Sequence, residues 1–266
     1  MTLFVVPTPI GNLEDITLRA LRVLREADVI ACEDTRRTGK LLAHYEIKNS
    51  LVSHHEHNEE RFAESLAERA KTENVALVSD AGTPLVSDPG YRLVEACVAA
   101  GAKVEVLPGA SSLTTALAAS GLPVDEVVFV GFPPRKGRER AGLFERISRQ
   151  NATFVLFESP RRLRRTLGEL PEEASVAVCR ELTKLHEEVF RGKASEAAGH
   201  FSGDVKGEIV IVVRGGPEEE SVDLDSAVEL ARRYASEGES PSRAAARAAR
   251  ETGRPKGEVY DGLAKG

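Results

Sequence analysis

The chain has 266 residues, of which 41% are hydrophobic and 29% are charged, and its formal net charge at pH 7 is −6. This composition is typical of a globular protein with one or two domains and a small appendage. No apolar run approaches the roughly 18 residues of a membrane span, and the apolar start meets Pro7 and Pro9 too early for a signal peptide. The three cysteines are odd in number and far apart, which predicts buried thiols in a reducing cytoplasm rather than disulfides.

The first 45 residues predict two strand–loop–helix units. Residues 3–6 form the first strand, a Pro/Gly loop follows at 7–12, and the next helix is capped by Asp15 or Thr17. Residues 28–32 form the second strand. This alternation predicts an α/β fold with a mostly parallel sheet. The first loop lacks the GxGxxG dinucleotide fingerprint and has few amide donors for a pyrophosphate, but it can shape a pocket for an uncharged adenosine.

Residues 53–58, SHHEHN, have the composition of a metal site. No distant set of histidines or cysteines completes the site, and the run precedes a predicted helix at 59–71. We therefore predict no metal here, and interpret the run as a helix cap and a polar wall of a cleft.

Residues 75–90, VALVSDAGTPLVSDPG, place a buried strand before a loop rich in Asp, Gly and Pro. At the carboxyl edge of a parallel sheet such a loop is a ligand-binding position. Asp80 and Asp88 supply acceptors for hydroxyls, an amino group or a cation, and Gly82 permits close backbone approach. A pair of ordinary turns is the alternative interpretation.

A strand at 103–107 leads to Pro-Gly-Ala-Ser-Ser at 108–112 and to a helix of small residues that ends at Gly121. The helix start, with Ser111 and Ser112, is a hydrogen-bonding site. A tight contact between this helix and a sheet is the alternative.

The second part of the chain predicts four more strands, at 127–130, 153–157, 175–179 and 208–213, and it is locally basic. Residues 133–165 contain ten basic and three acidic side chains. This asymmetry in a net acidic protein indicates a surface that faces a polyanion, with a solvated charged helix as the alternative. The polar run at 180–188 follows a strand and is a candidate wall of the site.

The tail predicts a linker at 217–221 and helices at 225–236, 242–252 and 255–264, a spacing that resembles a helix-turn-helix. Four arginines between 243 and 254 fall on one helical face. RNA binding and a structural helical cap both fit this pattern. The predicted organisation is an α/β domain at 1–120, a second α/β domain at 121–217 and a helical appendage at 218–266.

Nine stretches, in order over most of the chain, together resemble the tetrapyrrole-methylase-like family of S-adenosylmethionine methyltransferases. They are VPTPIGNLEDIT (6–17), CEDTRRTGKLL (32–42), HEHNE (55–59), LVSDAGTPLVSDPG (77–90), PGASS (108–112), GFPPRKGR (131–138), FESPRRL (157–163), RELTKLHEE (180–188) and GEIVIVV (207–213). The resemblance is closest to a branch that methylates the ribose 2′-oxygen of a cytidine in the decoding region of 16S rRNA. One departure is Arg161, where histidine is expected after Ser-Pro.

The resemblance implies two α/β domains with S-adenosyl-L-methionine in the cleft between them, a homodimer, and 16S rRNA or the assembled small ribosomal subunit as substrate. The cofactor-binding residues that it implies are Pro9, Gly11, Asp80, Ala81, Gly82, Ser111, Ser112 and Phe132. The candidate RNA-binding residues, chosen from the basic segments, are Arg135, Lys136, Arg138, Arg161, Arg162, Arg243, Arg247 and Arg250.

The expected chemistry needs a positioned nucleophile, because a sulfonium methyl group is already electrophilic. A ribose hydroxyl is a weak acid, so a base or a cation beside the developing oxyanion would help. Lys184 and Glu158 are the first candidates, from their places at strand ends, and His186 and Glu187 are the second. The alternative is that these residues only position RNA or bridge the dimer.

Two other functions are weighed. A tetrapyrrole C-methyltransferase, acting on precorrin or uroporphyrinogen, would not need the arginine-rich segments. A non-enzymatic nucleic-acid-binding regulator that uses the tail would not need the polar loops at so many strand ends.

Overall fold

The computed structural model describes residues 1–54, 59–216 and 224–264, and only the backbone of 59–61. The chain divides into two compact units, Met1–Gly216 and Pro217–Gly266. The linker predicted at 217–221 and most of the predicted histidine-rich wall, including His55 and His57, lie outside the described residues. The domain boundaries at 120 and 217 stay predictions.

In the first part of unit 1, the described residues form a five-stranded sheet with four α-helices. In chain order its elements are β1 (Thr2–Val5), α1 (Leu18–Glu26), β2 (Val29–Cys32), α2 (Thr35–His44), β3 (Leu51–Ser53), α3 (Glu59–Thr72), β4 (Val75–Val78), α4 (Tyr91–Ala99) and β5 (Lys103–Val106). The strand order is β3-β2-β4-β1-β5, and every pair is parallel, as the alternation predicted. Thr17 caps α1, where its hydroxyl accepts a hydrogen bond from the Ala20 amide.

The central strands of this sheet are apolar throughout because both faces are covered. All four residues of β2 and all four of β4 are buried. One core, which includes Leu24 and Leu42, lies on the face of α1 and α2, and the other, which includes Leu66 and Leu93, lies on the face of α3 and α4. Strand β3 was not predicted, because it is short and only half-buried.

The second part of unit 1 contains the other sheet. Its elements are α5 (Ser112–Ser120), β6 (Val127–Gly131), α6 (Arg138–Arg149), β7 (Thr153–Glu158), α7 (Pro160–Gly168), β8 (Ser175–Arg180), β9 (Glu188–Lys193), α8 (Ala194–His200) and β10 (Ile209–Arg214). The order is β6-β7-β10-β8-β9, with β6–β7 parallel and the other pairs antiparallel. The hairpin partner β9 was not predicted, because its half-buried, polar sequence lacks the apolar run of the other strands.

Helix α5 packs its small residues against the second sheet. Ala116 is fully buried in the same cluster as Val155, Ala177 and Val212. The tight helix–sheet contact that small residues allow is therefore present, and Ser111 and Ser112 at the start of the same helix are only half-buried.

The described residues of unit 2 form three helices, α9 (Leu224–Ser236), α10 (Pro241–Thr252) and α11 (Lys256–Ala264), close to the predicted bounds. Their shared core is alanine-rich, with Tyr234 and Val259 as its larger members. Gly253 ends α10 in a left-handed conformation, as glycine commonly does at helix ends.

The described parts of the chain contain no helix with the length and apolar character needed to cross a bilayer. The three cysteines are buried free thiols, as predicted.

Candidate active site

Three loops at the carboxyl ends of neighbouring first-sheet strands are tied together, mostly through backbone. The loops after β1 and β4 form a bridge in which the amides of Thr8 and Gly82 each donate to the other's carbonyl at 2.9 Å. Thr83 Oγ1 donates to the Ala110 carbonyl at 3.1 Å, which adds the loop after β5. Gly82 has φ of +82°, which glycine adopts without strain. These loops form one rigid wall.

A cleft of about 440 Å³ opens beside this wall. This volume is within the range of pockets that hold small molecules and cofactors. The first-sheet side presents carboxylates and hydroxyls, from Glu33, Asp80, Asp88, Thr83, Ser111 and Ser112. The second-sheet side presents Phe132, Phe157, Glu158 and Glu208.

Asp80 links the loop after β4 to the loop after β2. Its Oδ1 accepts a hydrogen bond from the Asp34 amide at 3.1 Å, and its Oδ2 lies 3.3 Å from Arg37 Nη1. The carboxylate therefore fixes a second loop as well as lining the cleft.

Asp88 is the most perturbed carboxyl of the cleft. Burial, reinforced by the negative charges of Glu33, Asp80 and Glu208, raises the pKa of Asp88 to about 6, although a hydrogen bond with Ser79 opposes the change. Burial and the charge of Asp80 also raise the pKa of Glu33. The cleft thus has a negative potential that a cationic ligand would relieve.

Most predicted cofactor residues come together here. Six of the eight line the cleft, namely Asp80, Ala81, Gly82, Ser111, Ser112 and Phe132. The other two, Pro9 and Gly11, are not part of the lining, but they flank Ile10, which is. The Phe132 ring is 57% exposed and packs edge-on against Phe157, with centroids 5.7 Å apart.

Lys184 lies next to the cleft, outside its lining, in the loop between β8 and β9. Its Nζ donates to Glu181 Oε1 at 2.7 Å and to Glu208 Oε2 at 2.9 Å, and Glu208 lines the cleft. Burial disfavours the charged ammonium and therefore lowers the pKa of Lys184. The hydrogen bonds to these two carboxylates outweigh that effect, so the pKa of Lys184 is raised.

The same loop, residues 181–187, has a strained backbone. Glu181 and Thr183 have φ of +51° and +67°, a region that non-glycine residues seldom occupy. The amide of Thr183 is held by Glu187 Oε2 at 2.5 Å, so Glu187 braces the loop. His186 is exposed at its tip. Strained backbone of this kind is common at functional sites.

Glu158 lines the cleft, but its buried carboxylate already has protein partners. Oε1 accepts from the Ser159 amide at 2.8 Å and lies 3.2 Å from Arg162 Nε, and Oε2 accepts from Thr166 Oγ1 at 2.6 Å. These contacts favour a structural role over that of a base.

The predicted RNA-binding residues fall into two groups. Arg135, Lys136, Arg138, Arg161, Arg243 and Arg250 have exposed side chains. Arg162 is three-quarters buried beside Glu158. Arg247 lies 3.9 Å from the Tyr234 ring centroid, and its hydrogen bonds to Glu239 and Glu251 raise its pKa. Both arginines therefore have partners within the chain, although Arg247 is still 46% exposed.

Sequence reasoning missed Glu33 and Glu208 as parts of the site, and it placed Glu181 only within the candidate wall at 180–188. Glu33 directly follows β2, so the strand-end rule could have found it. Glu181 and Glu208 are brought together by the antiparallel register that pairs Arg180 with Ile209, and nothing in the local sequence predicts that pairing. Within the described residues, no cluster of His, Cys, Asp and Glu has the form of a metal site.

The family described as Tetrapyrrole (Corrin/Porphyrin) Methylases matches residues 2–198. A protein of Halalkalibacterium halodurans named "Ribosomal RNA small subunit methyltransferase I" is 43% identical over 98% of this chain and 93% of its own. One of the same name from Thermotoga maritima is 50% identical over 80% of this chain and 98% of its own. A solved uroporphyrin-III-C-methyltransferase of Thermus thermophilus has a TM-score of 0.57 and 26% identity, covering 79% of this chain and 93% of its own.

Proposed function

The chain belongs to the tetrapyrrole methylase family, and on that premise we propose that it transfers a methyl group from S-adenosyl-L-methionine to the ribose 2′-oxygen of a cytidine in 16S rRNA. The observation that carries this proposal is the likeness to the small-subunit rRNA methyltransferase of Halalkalibacterium halodurans, which extends over 98% of the chain, helical unit included. The cytoplasm, where ribosomal subunits are made, is the proposed location.

The cleft fits the cofactor chemically. Asp80, Asp88 and Glu33 offer negative charge to an ammonium and a sulfonium, and Ser111 and Ser112 offer hydroxyls at a helix start. Bound there, S-adenosyl-L-methionine would supply an electrophilic methyl group. The residues of the chain would then orient the acceptor hydroxyl toward the methyl group and prevent unproductive alignments of the two.

Lys184 is proposed as the cation that stabilises negative charge on the reacting ribose oxygen. Its raised pKa keeps the ammonium charged at neutral pH, which makes it a poor proton acceptor. Its double anchoring to Glu181 and Glu208 holds the charge in place before the reaction, which is the arrangement that gives electrostatic stabilisation its effect.

RNA is the proposed partner of the exposed arginines and lysine at 135–138, of Arg161, and of Arg243 and Arg250 in unit 2. Their exposed positive charges in a net acidic chain suit phosphate contacts.

A homodimer is also proposed. Val98, Val106 and Val124 are each about 60% exposed, and they are the apolar side chains that we propose for its interface. Size measurement by light scattering, with Val106→Glu as the disrupting variant, tests the dimer.

The deciding experiment is mass spectrometry of small-subunit rRNA from cells with and without this protein. We expect 2′-O-methylcytidine in the decoding region to disappear with the protein. In vitro, the purified chain would be given S-adenosyl-L-methionine with naked 16S rRNA, assembled small subunits or uroporphyrinogen. An unchanged 2′-O-methylcytidine signal contradicts the proposal, and methylation of uroporphyrinogen alone would favour the tetrapyrrole alternative.

A further inference from the structure

The loop between β6 and α6, residues 132–137, is held by its carbonyl groups. Pro133 and Pro134 have no amide hydrogen, so neither residue can donate a backbone hydrogen bond. Three guanidinium groups bind three successive carbonyls instead. Arg162 Nη2 donates to Pro133 at 2.5 Å, Arg140 Nη1 to Pro134 at 2.9 Å, and Arg165 Nη1 to Arg135 at 3.3 Å.

Two carboxylates hold the guanidinium groups in turn. Glu158 pairs with Arg162, and Glu169 accepts from Arg140 Nε at 2.6 Å and from Arg165 Nε at 2.8 Å. The Thr166 hydroxyl, which donates to Glu158, also accepts from Arg140 Nη2 at 2.9 Å. The network is therefore continuous.

Its centre is dry, since the side chains of Glu158 and Arg140 are 0% and 3% exposed. At this centre, a broken contact of Glu158 or Arg140 leaves a buried charge unpaired, which favours one conformation. Arg165 and Glu169, at the edge of the network, are 57% and 31% exposed.

We propose that Arg140, Arg162 and Arg165, called here the arginine clamp, are positioning residues that fix the loop between the cofactor cleft and the RNA-binding surface. Phe132, at one end of the loop, lines the cleft, and the basic residues at 135–138 follow at the other end. The clamp keeps the spacing between them constant, so that bound RNA is aligned with the methyl donor. The RNA part of this inference rests on the proposed function.

The clamp gives two adjacent arginines different roles. Arg161 is exposed, whereas Arg162 is three-quarters buried and donates to the loop. Both lie in the first turn of α7, and Met at either position removes one charge and one trypsin site. Arg161→Met is therefore the matched control for Arg162→Met.

The first test uses limited trypsin digestion of the full chain without RNA or cofactor. Cleavage after Arg135, Lys136 and Arg138 reports directly on loop opening. We expect Arg162→Met to speed this cleavage at least tenfold, and Arg161→Met to leave it at the wild-type rate. Equal cleavage of all three proteins would overturn the clamp. If Arg162→Met does not fold, the same digestion is done with Arg162→Lys and with Arg165→Met, which changes a half-exposed side chain.

The second test measures affinity for a decoding-region RNA against salt concentration, together with kcat and KM. Losing a phosphate contact lowers the slope of log K against log salt by roughly 0.7 to 0.9. We expect that decrease for Arg161→Met. For Arg162→Met we expect an unchanged slope and a reduced kcat at saturating RNA, with partial recovery in Arg162→Lys.

A lower salt slope with a normal kcat in Arg162→Met would make Arg162 an RNA contact and contradict the clamp. Absence of RNA binding by the wild-type chain would overturn the proposed function, and the digestion result would still decide the clamp.

Discussion

The strand-end loops of the two sheets are held in different ways. The first-sheet loops are joined largely through backbone, as in the Thr8–Gly82 bridge, and their carboxylates line the cleft. The second-sheet loops are held by charged side chains, with arginines on the carbonyls of 133–135 and Lys184 between Glu181 and Glu208. Backbone ties tolerate a change of side chain. Side-chain ties do not, so single substitutions should disturb the second-sheet loops more.

The largest effect is expected for Lys184→Met. The change removes the proposed cation and its ion pairs with Glu181 and Glu208, which remain linked by the hydrogen bond from the Glu208 amide to Glu181 Oε1. We expect kcat to fall about a hundredfold, the size typical of losing one oxyanion-stabilising donor. Steady-state methylation with Lys184→Arg alongside separates charge from shape, and the arginine variant should recover much of the rate.

The pH dependence of the wild-type rate separates a cation from a base. With a raised lysine pKa the ammonium persists through pH 7–9, so no increase in rate from lysine deprotonation is expected in that range. A rate that rises with pH in wild type and is flat in Lys184→Met would show that Lys184 acts as a base.

Asp80→Ala should have the next largest effect and should act on the other kind of loop. It removes a carboxylate from the cleft and its contacts with Asp34 and Arg37. We expect about 30-fold weaker binding of S-adenosyl-L-methionine, or about 2 kcal/mol, by calorimetry, with RNA affinity little changed.

Asp204→Ala is the matched control. The Asp204 carboxylate is 85% exposed, forms a surface ion pair with Lys206 and is distant from Asp80 in the sequence. If Asp80→Ala lost RNA affinity and kept cofactor affinity, the assignment of the two surfaces would be reversed.

The contrast between the loops also explains what could be predicted from the sequence. Strands β1, β2 and β4 have contiguous apolar runs, and their loops carry Gly, Pro and Asp, so the first sheet was predicted except for β3, and six of the eight expected cofactor residues line the cleft. The roles of Arg140 and Arg165 could not be predicted from the sequence, because these arginines bind backbone carbonyls up to 30 residues away. Composition predicts a basic surface but cannot separate an arginine that binds inward from one that faces solvent.

Glu158 illustrates the same limit. Its place at the end of β7 indicated a catalytic carboxylate, and its place in the cleft agrees with the strand-end rule. What the sequence could not show is that Thr166 and Arg162, on the following helix, occupy both of its oxygens. The chemistry of a carboxylate depends on those partners as much as on its position.

Gly11→Ala tests the place where the two kinds of loop meet. A Cβ at Gly11 would lie 2.4 Å from Lys184 Cγ and 2.9 Å from the Leu182 carbonyl oxygen. The backbone of 182–184 would have to move, at a cost of about 1–3 kcal/mol for such overpacking. We expect a lower free energy of unfolding in denaturant melts and a reduced kcat. Gly142→Ala, where a Cβ meets nothing within 4 Å, is the control and should not be destabilising.

The smallest effect concerns Asp88 and appears as a pH dependence. Its pKa is about 6 in the folded chain against 3.8 for the free group. Between these values the folded state binds the proton and the unfolded state does not, so this group makes stability fall as pH rises from about 4 to about 6. Asp88→Asn should lack this contribution, and the difference between wild type and variant in denaturant melts isolates it from Glu33, Asp80 and Glu208.

Cofactor binding should depend on pH in the opposite direction. A cationic ligand favours the ionised carboxyl, so binding and ionisation of Asp88 promote each other. Lowering the pH from 7 to 5 should therefore weaken wild-type binding of S-adenosyl-L-methionine by up to about tenfold if only the ionised form binds well, since a pKa near 6 leaves about one carboxyl in ten ionised at pH 5. Calorimetry at pH 5, 6, 7 and 8 measures it. As the control, the affinity of Asp88→Asn should not change with pH. An equal pH dependence of affinity in both proteins would show that a group other than Asp88 titrates in the cleft.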